Sequence, residues 1–98
     1  MTDGDGKGLV TVMPRVSEFY GIAIYMSYND HSPPHFHAEY GEDEGQFHIE
    51  TLELLVGELP RRSRSLVLEW ASMYRDDLRR NWELARAGLP LLAIPPLD

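Results

Sequence analysis

Two adjacent prolines, Pro33-Pro34, stand between two stretches in which apolar and polar residues alternate. Neither proline can donate a hydrogen bond to a strand ladder, so the chain must leave any sheet there and re-enter it. Before the break, Phe19 to Tyr28 (FYGIAIYMSY) places Tyr20, Ile22, Ile24, Met26 and Tyr28 on one side and Gly21, Ala23 and Ser27 on the other. That period of two reads as a strand. The segment Asn29–Pro34 (NDHSPP) reads as a loop. After it, His35 to Tyr40 (HFHAEY) alternates again, with Phe36, Ala38 and Tyr40 on one side and His35, His37 and Glu39 on the other. Gly41 to Gly45 (GEDEG) reads as a turn, and Gln46 to Glu50 (QFHIE) returns with Phe47 and Ile49 against Gln46, His48 and Glu50. This is a hairpin pattern. A two-residue turn at Glu42-Asp43 sets His37 opposite His48 and His35 opposite Glu50; a four-residue turn sets His37 opposite Glu50. Both registers keep the apolar sets together, and a slip by one residue would not.

Thr51 to Val56 (TLELLV) reads as a further short strand, closed by Gly57–Pro60. From Arg61 to Ala87 the apolar residues recur with helical spacing. Leu66, Val67, Trp70, Ala71, Tyr74, Leu78, Leu84 and Ala85 share one broad face, and Gly88-Leu89-Pro90 stops the run. The apolar tail Leu91–Asp98 is expected to pack back along the sheet or helix edge. The fold expected is α+β: a two-layer domain with three or four antiparallel strands covered on one face by one long C-terminal helix. Tyr20, Ile22, Ile24, Phe36, Ala38, Phe47 and Ile49 would form the floor beneath it. Residues 1–12, rich in Gly and Asp, read as a flexible leader, and 13–98 as a single domain; the 98 residues allow one core.

Composition narrows the classes. There is no cysteine, hence no disulfide framework, no thiolate metal site and no thiol nucleophile. No apolar run approaches the roughly 20 residues of a membrane helix. MTDGDGKG lacks the basic and apolar regions of a secretory signal, so a cytoplasmic location is expected. The net charge of −7 is unevenly spread. Residues 18–59 hold nine acids and no Lys or Arg, while 60–98 hold seven arginines against five acids. An acidic chain disfavours non-specific nucleic-acid binding, which needs cations on phosphates. The C-terminal arginines could instead pair with the acidic half of the chain or meet an acidic partner.

All four histidines, His31, His35, His37 and His48, lie in the acidic half. His35 and His37 share one side of a strand, and His48 joins them from the next strand in either register. With Glu50 they make a candidate ligand set for a divalent metal such as zinc or nickel. The same three histidines could serve as general acid and base on a phosphodiester, with Asp30 or Glu50 orienting a ring. An ordinary solvated sheet face or an oligomer interface would also carry such residues. Asp30 and His31, in the loop beside the cluster, are candidate binding residues.

Within the helix, Asn81 falls near the middle of the apolar arc and Asp77 near its edge. Asn81 is expected to satisfy backbone groups of a loop such as Asn29–Pro34. The alternative is a pocket lined by Asp77, Asn81, Trp70 and Tyr74. At the helix start, Arg61, Arg62 and Arg64 oppose the helix dipole. They read either as partners of Glu53 and Glu58 or as contacts to a partner or a phosphate at the helix N-terminus. No P-loop, G-x-G-x-x-G, G-x-S-x-G or H-E-x-x-H is present.

Several strings together, Met13-Pro14-Arg15-Val16-Ser17-Glu18-Phe19-Tyr20-Gly21-Ile22, Asn29-Asp30-His31-Ser32-Pro33-Pro34-His35-Phe36-His37-Ala38-Glu39-Tyr40-Gly41, Thr51-Leu52-Glu53-Leu54-Leu55, Leu59-Pro60-Arg61-Arg62 and Asn81-Trp82-Glu83-Leu84, resemble a bacterial family of small proteins, the domain-of-unknown-function family numbered 4160. The likeness spans about residues 13–90, and PPHFHAEYG is its most specific piece. Residues 1–12 depart from the pattern. The resemblance implies a short protein encoded beside a second small protein, as in toxin–antitoxin pairs, and implies no particular activity. Three readings follow: a partner-binding component of such a two-gene cassette, with a small protein partner or a homodimer; a metal-dependent or His acid/base ribonuclease-like enzyme; and a non-catalytic metal-binding module.

Overall fold

The computed structural model describes residues 13–98, so the leader read at 1–12 lies outside the described residues. Five strands precede two helices: β1 (Arg15–Phe19), β2 (Ile22–Tyr25), β3 (His35–Tyr40), β4 (Asp43–His48), β5 (Leu54–Gly57), α1 (Arg61–Met73) and α2 (Arg75–Arg86). The strands form one antiparallel sheet in the order β1-β2-β3-β4-β5, so each pairs with its neighbour in the chain. The α+β class is as expected. Among the described residues, five strands stand where the pattern predicts three or four, and two helices where it predicts one.

The extra strand comes from a turn inside what reads as a single strand. Tyr20 and Gly21 have φ of +51° and +76°, and Phe19 pairs with Ile22 across them. A two-residue hairpin turn with both central residues at positive φ matches the twist of its strands, but it favours Asn or Gly first. Tyrosine there costs about 1 kcal/mol. Tyr20 is 56% exposed, so it is not part of the floor under the helices.

The β3–β4 register differs from both expected ones. Tyr40 pairs with Asp43, Ala38 with Gly45, His37 with Gln46 and His35 with His48. The turn is Gly41-Glu42, with Gly41 alone at positive φ (+62°). Gly45 belongs to the strand. A Cβ on it would lie 3.0 Å from Leu54 and 3.1 Å from Phe47, so glycine is there for close packing beneath side chains. The apolar sets still meet: Phe36 opposes Phe47, their rings stacked at 5.5 Å.

The long helical run breaks at Tyr74 (φ −118°, ψ 30°) without proline or glycine. Asp76 and Asp77 follow in the first turn of α2, where acids suit the dipole. Arg75 donates to the carbonyl of Ile49, and Arg79 grips Glu50. The start of α2 is thereby tied to the turn after β4, and this tertiary tie overrides helical continuity.

Ile22, Ile24, Phe36, Phe47 and Ile49 are fully buried from the sheet side, with Val67, Trp70, Ala71 and Leu78 from the helices. Each large apolar side chain so buried contributes about 1.5–3 kcal/mol. The tail packs back as expected. Ile94 donates its amide to Val16 O at 2.8 Å, and the Trp70 indole donates to Pro95 O at 2.8 Å. Asn81 is fully buried and exchanges two hydrogen bonds with the Leu92 backbone, at 2.8 and 2.9 Å. It therefore holds the tail and not the Asn29–Pro34 loop. Leu92 lies 11 residues downstream of Asn81, nearer in sequence than the loop. Among the described residues no helix is long and apolar enough to cross a membrane.

Candidate metal centre

β3 is the central strand, and its residues His35 to Ala38 are buried on both faces. Phe36 and Ala38 point into the core. His35 and His37 point to the opposite face, which in a two-layer domain normally meets water. Here they are only 8% and 6% exposed, because the segment between β2 and β3 folds back over them. Its Asp30 places Oδ2 at 2.8 Å from His37 Nε2 and 3.2 Å from His35 Nε2. The two rings meet edge to face with centroids 5.2 Å apart. One ligand atom from each of Asp30, His35 and His37 lies within 4.8 Å of the others.

The remaining ring nitrogens are committed elsewhere. His35 Nδ1 lies 2.8 Å from Pro33 O, a group that only accepts, so Nδ1 carries the proton. His37 Nδ1 lies 3.1 Å from Glu44 Oε2, also an acceptor. With Nδ1–H of His35 donating to Pro33 O, the His35 Nε2 lone pair faces the Asp30 carboxylate, while His37 has a carboxylate oxygen at each ring nitrogen, Glu44 Oε2 at Nδ1 and Asp30 Oδ2 at Nε2. Lone pairs facing a carboxylate repel unless a cation lies between them. The cation can be protons on the rings or a divalent metal. An Nδ1–H bonded to a carbonyl or carboxylate is the arrangement that orients and enriches histidine metal ligands.

Helix α2 supports the loop. Trp82 is buried, with its ring 5.5 Å from that of His35. Arg86 lies over Trp82 at 5.5 Å and donates to Asp30 O at 2.9 Å. The Tyr28 hydroxyl donates to Leu89 O at 2.9 Å. Tyr28, Asn29, Asp30, His31 and Arg86 line an open depression of about 280 Å³ beside the cluster.

The structure gathers Asp30, His35 and His37 from the sequence candidates and leaves the others apart from them. His48 stands opposite His35 across the strand pair, but its Nδ1 accepts the amides of Glu50 and Thr51 at 3.0 and 3.4 Å. Glu50 receives two hydrogen bonds from Arg79, at 2.7 and 2.6 Å, and Arg79 also reaches Asp76 at 2.6 Å. The Arg79 hydrogen bonds hold the Glu50 carboxyl below its ordinary value of 4.5, and Glu50 raises Arg79 in turn. His31 is exposed in the depression. Trp70 and Tyr74 pack with each other, and Trp70 packs edge-on against Phe36. Arg61, Arg62 and Arg64 are exposed and make no ion pair with Glu53 or Glu58. Glu44, Trp82 and Arg86 are the supports that sequence reasoning missed. Glu44 has a signal once the register is known, since it and His37 fall on one face two positions apart across the strand pair.

No curated protein and no solved structure matches the chain. A family model described as "Domain of unknown function (DUF4160)" matches residues 21–83, a span that runs from the β1–β2 turn into α2 and includes Asp30, His35, His37 and Glu44. The chain belongs to that family.

Proposed function

We propose that the protein binds one divalent transition metal through Asp30 Oδ2, His35 Nε2 and His37 Nε2. The observation that carries this reading is the convergence of two imidazole Nε2 atoms on one carboxylate oxygen, at 3.2 and 2.8 Å, while both Nδ1 atoms are engaged outward by Pro33 O and Glu44 Oε2. Two imidazoles and a carboxylate suit zinc or nickel better than the oxygen-seeking magnesium or calcium. Three protein ligands leave coordination positions for water or an incoming group, and the depression with His31 and Arg86 adjoins them. A ribonuclease-like use of the metal is the hydrolytic form of this proposal.

Native mass spectrometry of untagged protein titrated with zinc or nickel tests it. One metal per chain is expected, lost in His37→Ala and in Asp30→Ala and kept in His48→Ala. Absence of stoichiometric metal, or loss in His48→Ala equal to that in His37→Ala, overturns the assignment. Cleavage of RNA by the loaded parent, and not by His37→Ala, would distinguish an enzyme from a non-catalytic module.

A partner-binding role of the toxin–antitoxin kind rests on a different observation. β5 is an edge strand in the order of described strands, and its Leu55 and Val56 are 37% and 55% exposed. An apolar edge can add a strand from a small protein partner or from a second copy. Charged substitution at Val56 is expected to abolish such a complex and to leave metal binding intact; co-purification with the adjacent gene product reads it.

A further inference from the structure

The edge strand β5 and its flanks take no part in the metal centre. Among the described strands β5, Leu54-Leu55-Val56-Gly57, pairs on one side only, with β4. Its exposed apolar side chains, Leu55 and Val56, stand between two exposed acids, Glu53 and Glu58. Past the end of the strand the amide of Glu58 donates to Glu44 O at 2.9 Å, which holds Glu58 beside the start of β4. There Asp43 and Glu58 line an open depression of about 220 Å³ together with Leu59 and Pro60. Two carboxylates thus share a hollow with two apolar residues.

Among the described residues no cation answers these acids. Arginine ion pairs join Arg15 to Glu18 and Arg79 to Glu50 and Asp76, and the histidine pairs engage Asp30 and Glu44. Asp43, Glu53 and Glu58 belong to none of them. A second copy of β5 does not supply the missing charge. In a two-fold antiparallel pairing centred on the exposed pair, Leu55 of one copy faces Val56 of the other, and Glu53 then faces Glu58 on both sides of the axis. Like charges directly opposite destabilise such a ribbon, and residues 18–59 hold no Lys or Arg to offset them in another register. Charge guards this edge against self-association and leaves it complementary to a basic chain.

We propose that β5 takes an extended segment of a different protein, apolar in its middle and carrying Lys or Arg at its ends. The proposal rests on the partner-binding reading above and adds the chemistry of the partner. The segment adds a strand through main-chain hydrogen bonds, its apolar residues meet Leu55 and Val56, and one basic side chain enters the hollow of Asp43 and Glu58. Lysine or arginine suits that hollow because its methylene stem lies on Leu59 and Pro60 while its charged head meets both carboxylates. A second basic residue, at the other end of the segment, meets Glu53.

A ¹H–¹⁵N NMR titration of the full chain tests this with blocked peptides of alternating valine and threonine that end at both termini in lysine, acetyl-lysine or glutamate. The lysine peptide is expected to shift the amides of Leu55 to Glu58, and the other two to bind about tenfold or more weakly. The Asp43→Asn/Glu58→Gln double variant is expected to bind the lysine peptide about tenfold more weakly than the parent. The acetyl-lysine peptide removes the same charges from the ligand instead, so the test does not depend on the folding of the variant. Sedimentation velocity is expected to show no association that Val56→Asp removes. Equal binding of the lysine and acetyl-lysine peptides, or of the lysine and glutamate peptides, overturns the charge assignment and leaves the partner reading standing. No shift at Leu55 to Glu58 with any of the peptides at millimolar concentration overturns both. A dimer dissociated by Val56→Asp, or nuclear Overhauser contacts from Leu55 and Val56 to residues 1–12, gives the edge to a second copy or to the chain's own leader and overturns the proposal.

Discussion

Asn81→Leu keeps the volume of a fully buried side chain and deletes both of its hydrogen-bonding atoms. The wild-type amide donates to Leu92 O and accepts from Leu92 N, at 2.8 and 2.9 Å. Each bond contributes about 1 kcal/mol net, and a buried group left without its partner costs about 1–3 kcal/mol. The Leu92 residue is 49% exposed, so water can recover part of that loss. A destabilisation of roughly 2–3 kcal/mol results, a large share of the roughly 5–15 kcal/mol typical of a domain. For a domain of this size it corresponds to a fall in Tm of roughly 10–20 °C. Urea denaturation should show a lower midpoint with an unchanged slope, and hydrogen exchange should show faster exchange at the Leu92 amide. Metal affinity should stay as in the parent, because Asn81 holds the tail and not Asp30. A variant as stable as the parent, or one that loses metal as Asp30→Ala does, would refute this account of Asn81.

Glu44→Ala removes the acceptor on His37 Nδ1 and should weaken zinc binding by about tenfold, read by competition with a chromophoric chelator; unchanged affinity would detach Glu44 from the site. Gly57→Ala should destabilise by more than about 2 kcal/mol in urea unfolding. Its φ is +80° and the new Cβ would stand 2.1 Å from Glu44 O, so a neutral result would contradict the β4–β5 geometry. Glu50 is ionised below its ordinary range because of Arg79, so its contribution is present above about pH 4.5 and is lost as pH falls through the lowered value. The Tm difference between the parent and Glu50→Gln should therefore shrink towards zero on acidification from pH 6 to pH 3, and a difference that grows in acid would reverse the sign argued here.

The alternation of His35 to Tyr40 and of Gln46 to Glu50 carried the sheet in plain view, because side chains on a strand must alternate between core and surface. Register was less legible. Gly41 and Gly45 look alike in sequence, yet Gly41 supplies a positive φ and Gly45 supplies space under Leu54 and Phe47. Tyr20-Gly21 escaped as a turn because tyrosine is a poor residue for the left-handed region. The break at Tyr74 has no helix-breaking residue behind it; it follows from contacts of Arg75 and Arg79 with the Ile49–Glu50 turn, which only folding brings near. At the candidate metal centre, His35 and His37 were legible from their spacing on one strand face. The fold-back that delivers Asp30, and the approach of Trp82 and Arg86, depend on long-range packing with no local signature.

Because the sheet is a meander, every strand pairing closes a short stretch of chain, and loop-closure entropy is small at each step. Asp30, His35 and His37 lie within eight consecutive residues. Their gathering therefore needs only the local fold-back onto β3, whereas Trp82 and Arg86 arrive from some fifty residues downstream. The loop is the shared element of two equilibria, ligand convergence and seating of α2 through the Arg86 bond to Asp30 O. Whatever tightens one must tighten the other by an equal free energy. A cation held by the three ligands would thus be felt as slower opening of the last turns of α2, and loosening of those turns as a weaker hold on the cation.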